Sequence, residues 1–393
     1  MKKKLLFVID SLAIGGAEKS MVTLLNLLDY NRYNVDLQLF AYDGAFVQFL
    51  PKEVNVLPPL EYTRFLKKSS WMQLFDFRKL MARLSYSWRI RQKGLCHADK
   101  ACLYWQINGK CFERSKKYYD VAIAYAQGIP TFYVVDKISA ARKMAWVNVD
   151  YCLNKRTRVY QKQFYEKVDV IVPVSDSVYG VFSNEVFPEY KDKMRIMWDI
   201  YDGNMISRMS NLPSDKTIDK SVPVLMTAGR LNKQQKGYDL ALEAAKILRD
   251  RKIRFRWYAI GDGPYREEME RYIRINKLED VFVLLGSTAN PYAYMRQCDV
   301  YVQTSRHEGY GLTIAEARIL NRPIVCTNFE ACAMQMMDGK NGLIVDMNAD
   351  AIADGIEKLM NDKDLYYSIY DYLKKEKKGN VEEIARFYEL IDG

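Results

Sequence analysis

The sequence of 393 residues lacks several features that would assign it to other classes of protein. No apolar run approaches the roughly 18 residues that span a bilayer, so no transmembrane helix is expected. The seven cysteines are an odd number with irregular spacing and no C-x-x-C pair, which argues against a disulfide framework or a zinc site. Only two histidines occur, His97 and His307. These absences favour a reduced, cytoplasmic protein in which histidine has little part in catalysis.

The amino terminus, MKKKLLFVID, has lysines before apolar residues, as a signal peptide does. Asp10 ends the apolar run well before the roughly 7–15 residues that a signal peptide requires. The run Leu5–Ile9 is instead predicted to be a β-strand buried on both faces. The chain is also longer than one hydrophobic core usually supports, so two domains are expected.

Short apolar runs alternate with amphipathic, helix-like stretches along most of the chain, which is typical of doubly wound α/β domains. The polar tract 196–221 is predicted to be the linker between two such domains. The runs predicted as strands are Leu5–Ile9, Val35–Phe40, Val54–Leu57, Val121–Tyr125, Lys143–Val147, Val170–Val174, Val222–Ala228, Phe255–Gly261, Val281–Leu285, Val300–Gln303, Ile324–Cys326 and the apolar part of NGLIVD at 341–346.

The stretch at 301–326, YVQTSRHEGYGLTIAEARILNRPIVC, carries the strongest functional signal. An apolar strand leads into a loop with Gly309 and Gly311, and a helix is predicted to start near Leu312. The first N–H groups of such a helix suit a phosphate. Glu308 and Glu316 frame this pocket, and carboxylates accept hydrogen bonds from neighbouring hydroxyl groups. A phosphate flanked by hydroxyl-binding carboxylates describes a nucleotide-sugar. On spacing alone, a solvated loop glutamate and a helix N-terminal glutamate remain an equal alternative.

The decapeptide EGYGLTIAEA at 308–317 resembles the signature of the retaining GT-B glycosyltransferases of family 4. The resemblance implies that Glu308 contacts sugar hydroxyls and that Glu316 contacts the ribose of the nucleotide. It also implies that backbone amides of the loop and helix start meet the diphosphate, at Gly309, Tyr310, Gly311, Leu312 and Thr313.

Other motifs follow in the order of that family. GGAE at 15–18 is similar to the family's first glycine turn, which implies that Gly15 and Gly16 approach the substrates. GRLNKQQKG at 229–237 is similar to the loop that clamps the diphosphate, with Arg230 and Lys236 as its cations. Preset cations stabilise a departing diphosphate, so no divalent metal and no other cofactor is expected. Two solvated loop cations are the alternative interpretation. One position departs from the family, because Asn148 stands where many relatives carry a histidine that meets the donor sugar.

The resemblance implies a GT-B fold, in which two Rossmann-like doubly wound domains face each other across a cleft. The expected boundaries are an acceptor-side domain at 1–198, a nucleotide-sugar domain at 199–370 and a C-terminal helix at 371–393 that returns to the first domain. The implied activity is metal-independent, retaining transfer of a sugar to a glycan or lipid-linked acceptor in surface polysaccharide synthesis. A GT-B sugar-nucleotide epimerase and a non-catalytic GT-B scaffold remain alternatives. No motif supports nucleic-acid binding.

Segment 61–119 carries 14 Lys and Arg against 4 Asp and Glu, a surplus as large as the net charge of +10 for the whole chain. Part of it predicts an amphipathic helix with an apolar stripe and with Lys79 and Arg83 opposite, while Arg78 and Arg89 lie near the edge. Such a helix suits an anionic membrane surface, so peripheral attachment at the inner face of the cell membrane is expected. Packing of the stripe on the first domain is the alternative. The stripe consists of Trp71, Leu74, Phe77, Met81, Leu84 and Trp88.

Overall fold

The computed structural model describes residues 2–42, 44–68, 73, 75–91, 94–148 and 153–393. The chain divides into two compact units. The first comprises Met1–Asp199 together with Glu382–Gly393, and the second comprises Ile200–Val381. Each unit contains a six-stranded sheet in which every neighbouring pair of strands is parallel.

The sheet of the first unit has the strand order β3-β2-β1-β4-β5-β6. The order reverses between β1 and β4, and ligands of open α/β sheets bind beyond the carboxyl ends of the strands at such a point. These strands are β1 Lys3–Ile9, β2 Tyr33–Leu39, β3 Val54–Val56, β4 Tyr118–Ala124, β5 Ser139–Val147 and β6 Val170–Pro173.

Helices lie between most of these strands, while the short 3₁₀ helix Val47–Phe49 lies between β2 and β3. Ser175 caps the helix that follows β6 by accepting a hydrogen bond from the amide of Val178 at 3.1 Å. The described helices are α1 Gly16–Leu27, α2 Glu61–Lys67, α3 Phe77–Arg89, α4 His97–Asn108, α5 Ile129–Lys137, α6 Lys155–Tyr165 and α7 Asp176–Val181.

The sheet of the second unit has the strand order β12-β11-β10-β7-β8-β9, so it repeats the topology of the first. Its order reverses between β7 and β10, the two strands that begin the halves of the unit. These strands are β7 Val224–Ala228, β8 Arg256–Ile260, β9 Phe282–Gly286, β10 Val300–Gln303, β11 Ile324–Thr327 and β12 Gly342–Val345.

The helices of the second unit include one within the tract that was expected to be a linker. This helix, α8, is amphipathic and buries Ile206 and Met209, so the polar tract contributes to the packing of the unit. The helices are α8 Gly203–Ser210, α9 Lys233–Lys236, α10 Tyr238–Asp250, α11 Arg266–Ile275, α12 Tyr292–Met295, α13 Leu312–Ile319, α14 Ala349–Asn361 and α15 Lys363–Lys375.

The last helix, α16 at Ile384–Asp392, belongs to the first unit. The ring of Phe387 stacks on Phe7 of β1 with centroids 6.0 Å apart. The carboxylate of Asp392 accepts hydrogen bonds from Tyr33 Oη at 2.7 Å and Arg32 Nη2 at 2.5 Å. The chain therefore ends on the sheet where it began.

The predicted fold class is confirmed, because both units are doubly wound α/β domains with parallel sheets. All twelve predicted strands occur, and their limits differ from the predicted ones by a few residues. The tail that was expected to be helical contains α15 and α16, with residues 376–383 between them. Among the described residues, no helix is long and apolar enough to cross a membrane.

Candidate active site

The candidate site of the second unit is built from the loops that follow β7, β8 and β10. These loops are pressed together, and glycines make the contact possible. Gly237 has a left-handed backbone with φ of 62°, and a Cβ there would lie 2.0 Å from the carbonyl oxygen of Thr304. A Cβ on Gly261 would lie 2.0 Å from the carbonyl oxygen of Gly229. The loops after β7 and β10 thus meet where the strand order reverses, and the loop after β8 is held against the loop after β7.

Glu308, in the loop after β10, is buried with 7% of its surface exposed. Its Oε1 accepts three hydrogen bonds, from Lys236 Nζ at 2.5 Å, Ser305 Oγ at 2.5 Å and Gln303 Nε2 at 2.8 Å. All hydrogen bonds that described residues make to this carboxylate go to Oε1. The arrangement leaves Oε2 as the oxygen that can accept a hydrogen bond from a ligand.

Lys236 and Arg230 are placed differently in the loop after β7. Lys236 is the last residue of α9 and forms the ion pair with Glu308, with 15% of its side chain exposed. Arg230 lies two residues beyond the end of β7 and is exposed, and no described residue pairs with it. A cation that faces solvent beside a switch point is available to an anionic ligand.

The helix α13 begins at the glycine loop. Gly311 precedes it with φ of 83°, and no described side chain caps the helix there. The carbonyl oxygens of Tyr310 and Gly311 accept hydrogen bonds from Gln335 Nε2 at 2.5 and 3.2 Å. The first N–H groups of a helix have no intrahelical acceptor. The amides of Leu312 and Thr313 are therefore suited to an anion. The buried Gln335 holds the two residues that precede them through their carbonyl oxygens.

Glu316 lies one turn into α13 with 2% of its surface exposed. Its Oε1 accepts a hydrogen bond from Tyr292 Oη at 3.0 Å. Burial, together with the charge of Glu316, raises the pKa of Tyr292 well above its usual value, so the phenol stays a neutral donor. The structure places Glu308 before the helix and Glu316 inside it, both buried.

Several residues of this site were not predicted from the sequence. They are Gln303, Ser305, Tyr292, Gln335 and Arg306, whose guanidinium is bidentate on Asp239 with both distances 2.8 Å. Gln303 could have been found from the sequence, because a glutamine at the end of an otherwise apolar strand indicates a buried polar contact. Tyr292 and Gln335 are distant in sequence from the residues that they contact, and no local pattern marks them.

In the first unit, Gly15, Gly16 and Asn148 lie at the carboxyl ends of the strands next to the switch point. Gly15 precedes α1 with φ of −163°, an extended conformation open to any residue. Asn148 follows β5, and its Nδ2 donates to the carbonyl oxygen of Tyr125 at 2.7 Å. Its Oδ1 is buried, and no described residue donates to it. An acceptor is thus fixed in place at the end of β5.

A buried polar cluster lies beside these residues. The hydroxyl groups of Ser20 and Tyr125 are 3.1 Å apart, and both residues are fully buried. Asp199 is 7% exposed, and burial raises its pKa to about 7, partly offset by a hydrogen bond with Ser20. This carboxyl group therefore changes its charge near neutral pH.

Comparison with known proteins identifies similar sequences and a similar fold. Residues 209–376 match the family model for glycosyl transferases group 1. A Campylobacter jejuni relative, named N-acetylgalactosamine-N,N'-diacetylbacillosaminyl-diphospho-undecaprenol 4-alpha-N-acetylgalactosaminyltransferase, is 24% identical over 393 residues, 99% of this chain and 96% of the relative. An uncharacterized glycosyltransferase of Methanocaldococcus jannaschii is 23% identical over 264 residues, 58% of this chain and 64% of that protein, slightly under two thirds of its length.

A solved structure, that of HepE from Anabaena in complex with UDP and glucose, is similar with a TM-score of 0.69 and 17% sequence identity. The superposition covers 99% of this chain and 99% of that one. At this identity the similarity shows the fold alone, which is that of the GT-B glycosyltransferases. The match to the group 1 glycosyltransferases is carried by residues 209–376, which lie within the second unit.

Proposed function

We propose that this protein is a retaining glycosyltransferase that uses a nucleotide-sugar donor. The observation that carries the proposal is the grouping at one switch point of a buried carboxylate, its lysine partner and an uncapped helix start. Glu308 would accept a hydrogen bond from a donor sugar hydroxyl through Oε2, and Glu316 would accept one from the ribose. The amides of Leu312 and Thr313 would bind the diphosphate. The similar HepE structure is a complex with UDP and glucose, which supports this class of donor.

The charges of the site favour transfer without a divalent metal. When the bond between the anomeric carbon and the phosphate oxygen breaks, negative charge develops on the diphosphate. Arg230 and Lys236 would stabilise that charge as the cations of the loop after β7. In a same-face displacement the acceptor oxygen bonds to the anomeric carbon, and its proton passes to the leaving phosphate oxygen. No histidine is needed for this step. Asn148 Oδ1 would accept a hydrogen bond from a sugar hydroxyl.

A panel of nucleotide-sugars, with product analysis by NMR, tests the proposal. We expect one donor to yield a glycoside with the anomeric configuration of the donor, also in excess chelator. Glu308→Ala should lower turnover about 100- to 1000-fold while the protein stays folded. A product that is an epimerised nucleotide-sugar would support the epimerase alternative, and no reaction with any donor would support a non-catalytic scaffold.

The acceptor is proposed to be a lipid-linked sugar at the surface of an anionic membrane, as part of surface polysaccharide synthesis. The Campylobacter relative is named for an acceptor that contains diphospho-undecaprenol. In this chain, helix α3 presents an apolar stripe to solvent. The exposed fractions are 72% for Phe77, 49% for Met81, 53% for Leu84 and 72% for Trp88. Trp71 and Leu74, the other members of the predicted stripe, lie outside the described residues.

Positively charged side chains lie beside the exposed stripe, where they could contact anionic headgroups. Arg78, Arg89 and Arg91 are exposed, and no described acidic residue pairs with them. Lys79 forms an ion pair with Asp76 at 2.8 Å. Each cation close to an anionic leaflet contributes about 1 kcal/mol, and large apolar side chains add to the affinity when they enter the interface. The enzyme would thus be cytoplasmic and peripheral on the inner face of the membrane.

Co-sedimentation with vesicles tests this surface. Binding should require anionic lipid, weaken at high salt, and fall at least tenfold in a Phe77→Ser/Trp88→Ser variant. Ile275→Ser is a matched control, because Ile275 is equally exposed at 72% but lies in the second unit. Equal binding by both variants would contradict the membrane proposal. A concentration-dependent dimer that Trp88→Ser abolishes would instead assign the stripe to a second copy of the chain.

A further inference from the structure

Gln303 is a buried amide at the end of an apolar strand. It is the last residue of β10, follows Val300 and Val302, and has 2% of its surface exposed. An apolar side chain would pack in this strand without cost, whereas a buried amide is unfavourable unless its polar atoms are hydrogen-bonded. The position of Gln303 therefore calls for an explanation from its contacts.

All four hydrogen-bonding positions of the amide are used. Nε2 donates to Glu308 Oε1 at 2.8 Å and to Ser305 Oγ at 2.7 Å. Oε1 accepts from Thr313 Oγ1 at 3.0 Å and from Tyr301 Oη at 3.1 Å. An amide has two N–H donors and two lone pairs, so this set satisfies it completely. The reversed amide would turn its oxygen toward the carboxylate of Glu308, and hence one orientation is selected.

The consequence concerns which oxygen of Glu308 remains available. The hydrogen bond from Gln303 is one of three on Oε1, with those from Lys236 and Ser305. Because three donors meet at one oxygen position, any other orientation of the carboxylate would break these hydrogen bonds. Oε2 is therefore held in one position. Through its own Oε1, the same amide is bonded to Thr313 in the first turn of α13.

We propose that Gln303 is a positioning residue for turnover, which orients the carboxylate of Glu308 and couples it to the start of α13. It does not touch the substrate. One amide joins the carboxylate proposed to bind the sugar to the helix start proposed to bind the diphosphate. When the diphosphate binds at the helix start, the carboxylate is then already oriented for the sugar. This inference rests on the proposed function, since it assigns Gln303 a role through Glu308.

Two substitutions separate orientation from simple packing. Gln303→Leu keeps the size of the side chain and removes every hydrogen bond. Loss of a hydrogen bond to a charged group corresponds to a change of about 10- to 100-fold in rate. We therefore expect kcat to fall by that factor, while the KM for the donor changes less than threefold. Gln297→Leu is a control, because Gln297 is a partly buried glutamine of the second unit whose hydrogen bonds go to Ala293 and Ser214 and not to Glu308 or Thr313.

Gln303→Glu supplies a pH profile that packing alone would not change. Two carboxylates that share a site raise the pKa of one of them, so at pH 8 repulsion should misorient Glu308. At lower pH the shared proton restores a donor between residues 303 and 308. The ratio of variant to wild-type kcat should therefore rise at least fivefold from pH 8 to pH 6. This variant is nearly isosteric, and it tests the proposal even if Gln303→Leu does not fold.

The outcomes distinguish failure of the role of Gln303 from failure of the proposed function. Wild-type kcat in a folded Gln303→Leu, or a constant ratio for Gln303→Glu, would overturn the role of Gln303 if Glu308→Ala is inactive. Full activity of Glu308→Ala would instead remove the proposed function of the site. A parallel fall of kcat in Gln297→Leu and Gln303→Leu would show general destabilisation and would also overturn the proposal. Low kcat in Gln303→Leu with recovery of Gln303→Glu at pH 6 supports it.

Discussion

Variants of the ion pair between Lys236 and Glu308 can separate its contribution to the stability of the protein from its contribution to turnover. Lys236→Met removes the cation and keeps the length of the side chain, while Glu308→Gln removes the charge of its partner. We expect each single variant to be less stable than the wild type and to have low turnover. We expect the double variant to lose less stability than the sum of the two single losses and to remain inactive, because both groups are proposed to act on the substrate.

The magnitudes follow from the burial of the pair. Removing one partner of a buried ion pair typically costs about 3–5 kcal/mol. In Lys236→Met the carboxylate keeps its hydrogen bonds from Ser305 and Gln303, at 2.5 and 2.8 Å, so we expect the lower end of this range, about 3 kcal/mol. In the double variant no charge is left unpaired, and the loss should be smaller than the sum of the single losses by about 1–2 kcal/mol.

Hydrogen exchange of peptides from β7 and β10, measured by mass spectrometry under native conditions, reports the stability of the second unit. Turnover is measured on the same preparations with the active donor. Lys358→Met is a matched control, because Lys358 is an exposed lysine on α14 of the same unit. Strictly additive effects on exchange would refute the ion pair as a stabilising contact. Turnover in the double variant within tenfold of wild type would refute the catalytic roles.

Three further predictions concern other groups. Burial raises the pKa of Asp199 to about 7, so its ionisation opposes folding from about pH 4 upward; Asp199→Asn should raise the free energy of unfolding more at pH 8 than at pH 5, measured by denaturant titration, and a pH-independent gain would contradict this. Tyr292→Phe should raise the donor KM about fivefold with unchanged kcat in steady-state assays, since Glu316 loses a hydrogen bond; an unchanged KM argues against it. Gly237→Ala should lower the melting temperature far more than Gly286→Ala, because both have positive φ but a Cβ meets backbone only at Gly237; equal shifts would contradict the close approach.

The strands could be predicted because their signal is local. A strand of a parallel sheet is buried on both faces, so it reads as a short apolar run, and such runs coincide with the observed strands within a few residues. The helix α8 was missed because its polar face dominates a tract rich in Ser, Asn and Asp. Its two buried residues, Ile206 and Met209, find partners only in the folded unit.

The candidate site was predictable where its residues are close in sequence. The loop from Glu308 to Thr313 and the cations Arg230 and Lys236 are recognisable from their spacing to glycines. The environment of the loop was not predictable in the same way. Gln335 contacts the loop at Gly311, and Tyr292 contacts Glu316 in the helix that follows. Both come from other parts of the chain, and no pattern in the sequence predicts either pair.

The exposed stripe of α3 also shows which properties are predictable from the sequence and which depend on the fold. Its period in the sequence predicts an amphipathic helix, because apolar residues three or four apart share one face. Whether that face packs on the protein or meets solvent depends on the distant segments that surround it, and the fold leaves Phe77 and Trp88 exposed. By itself the sequence determined the elements and their order, because periodicity and glycine turns act over a few residues. Only the tertiary structure decided the full environment of the Glu308 carboxylate, since Lys236, the donor that completes the set on Oε1, comes from the loop after β7 and meets Glu308 only on folding.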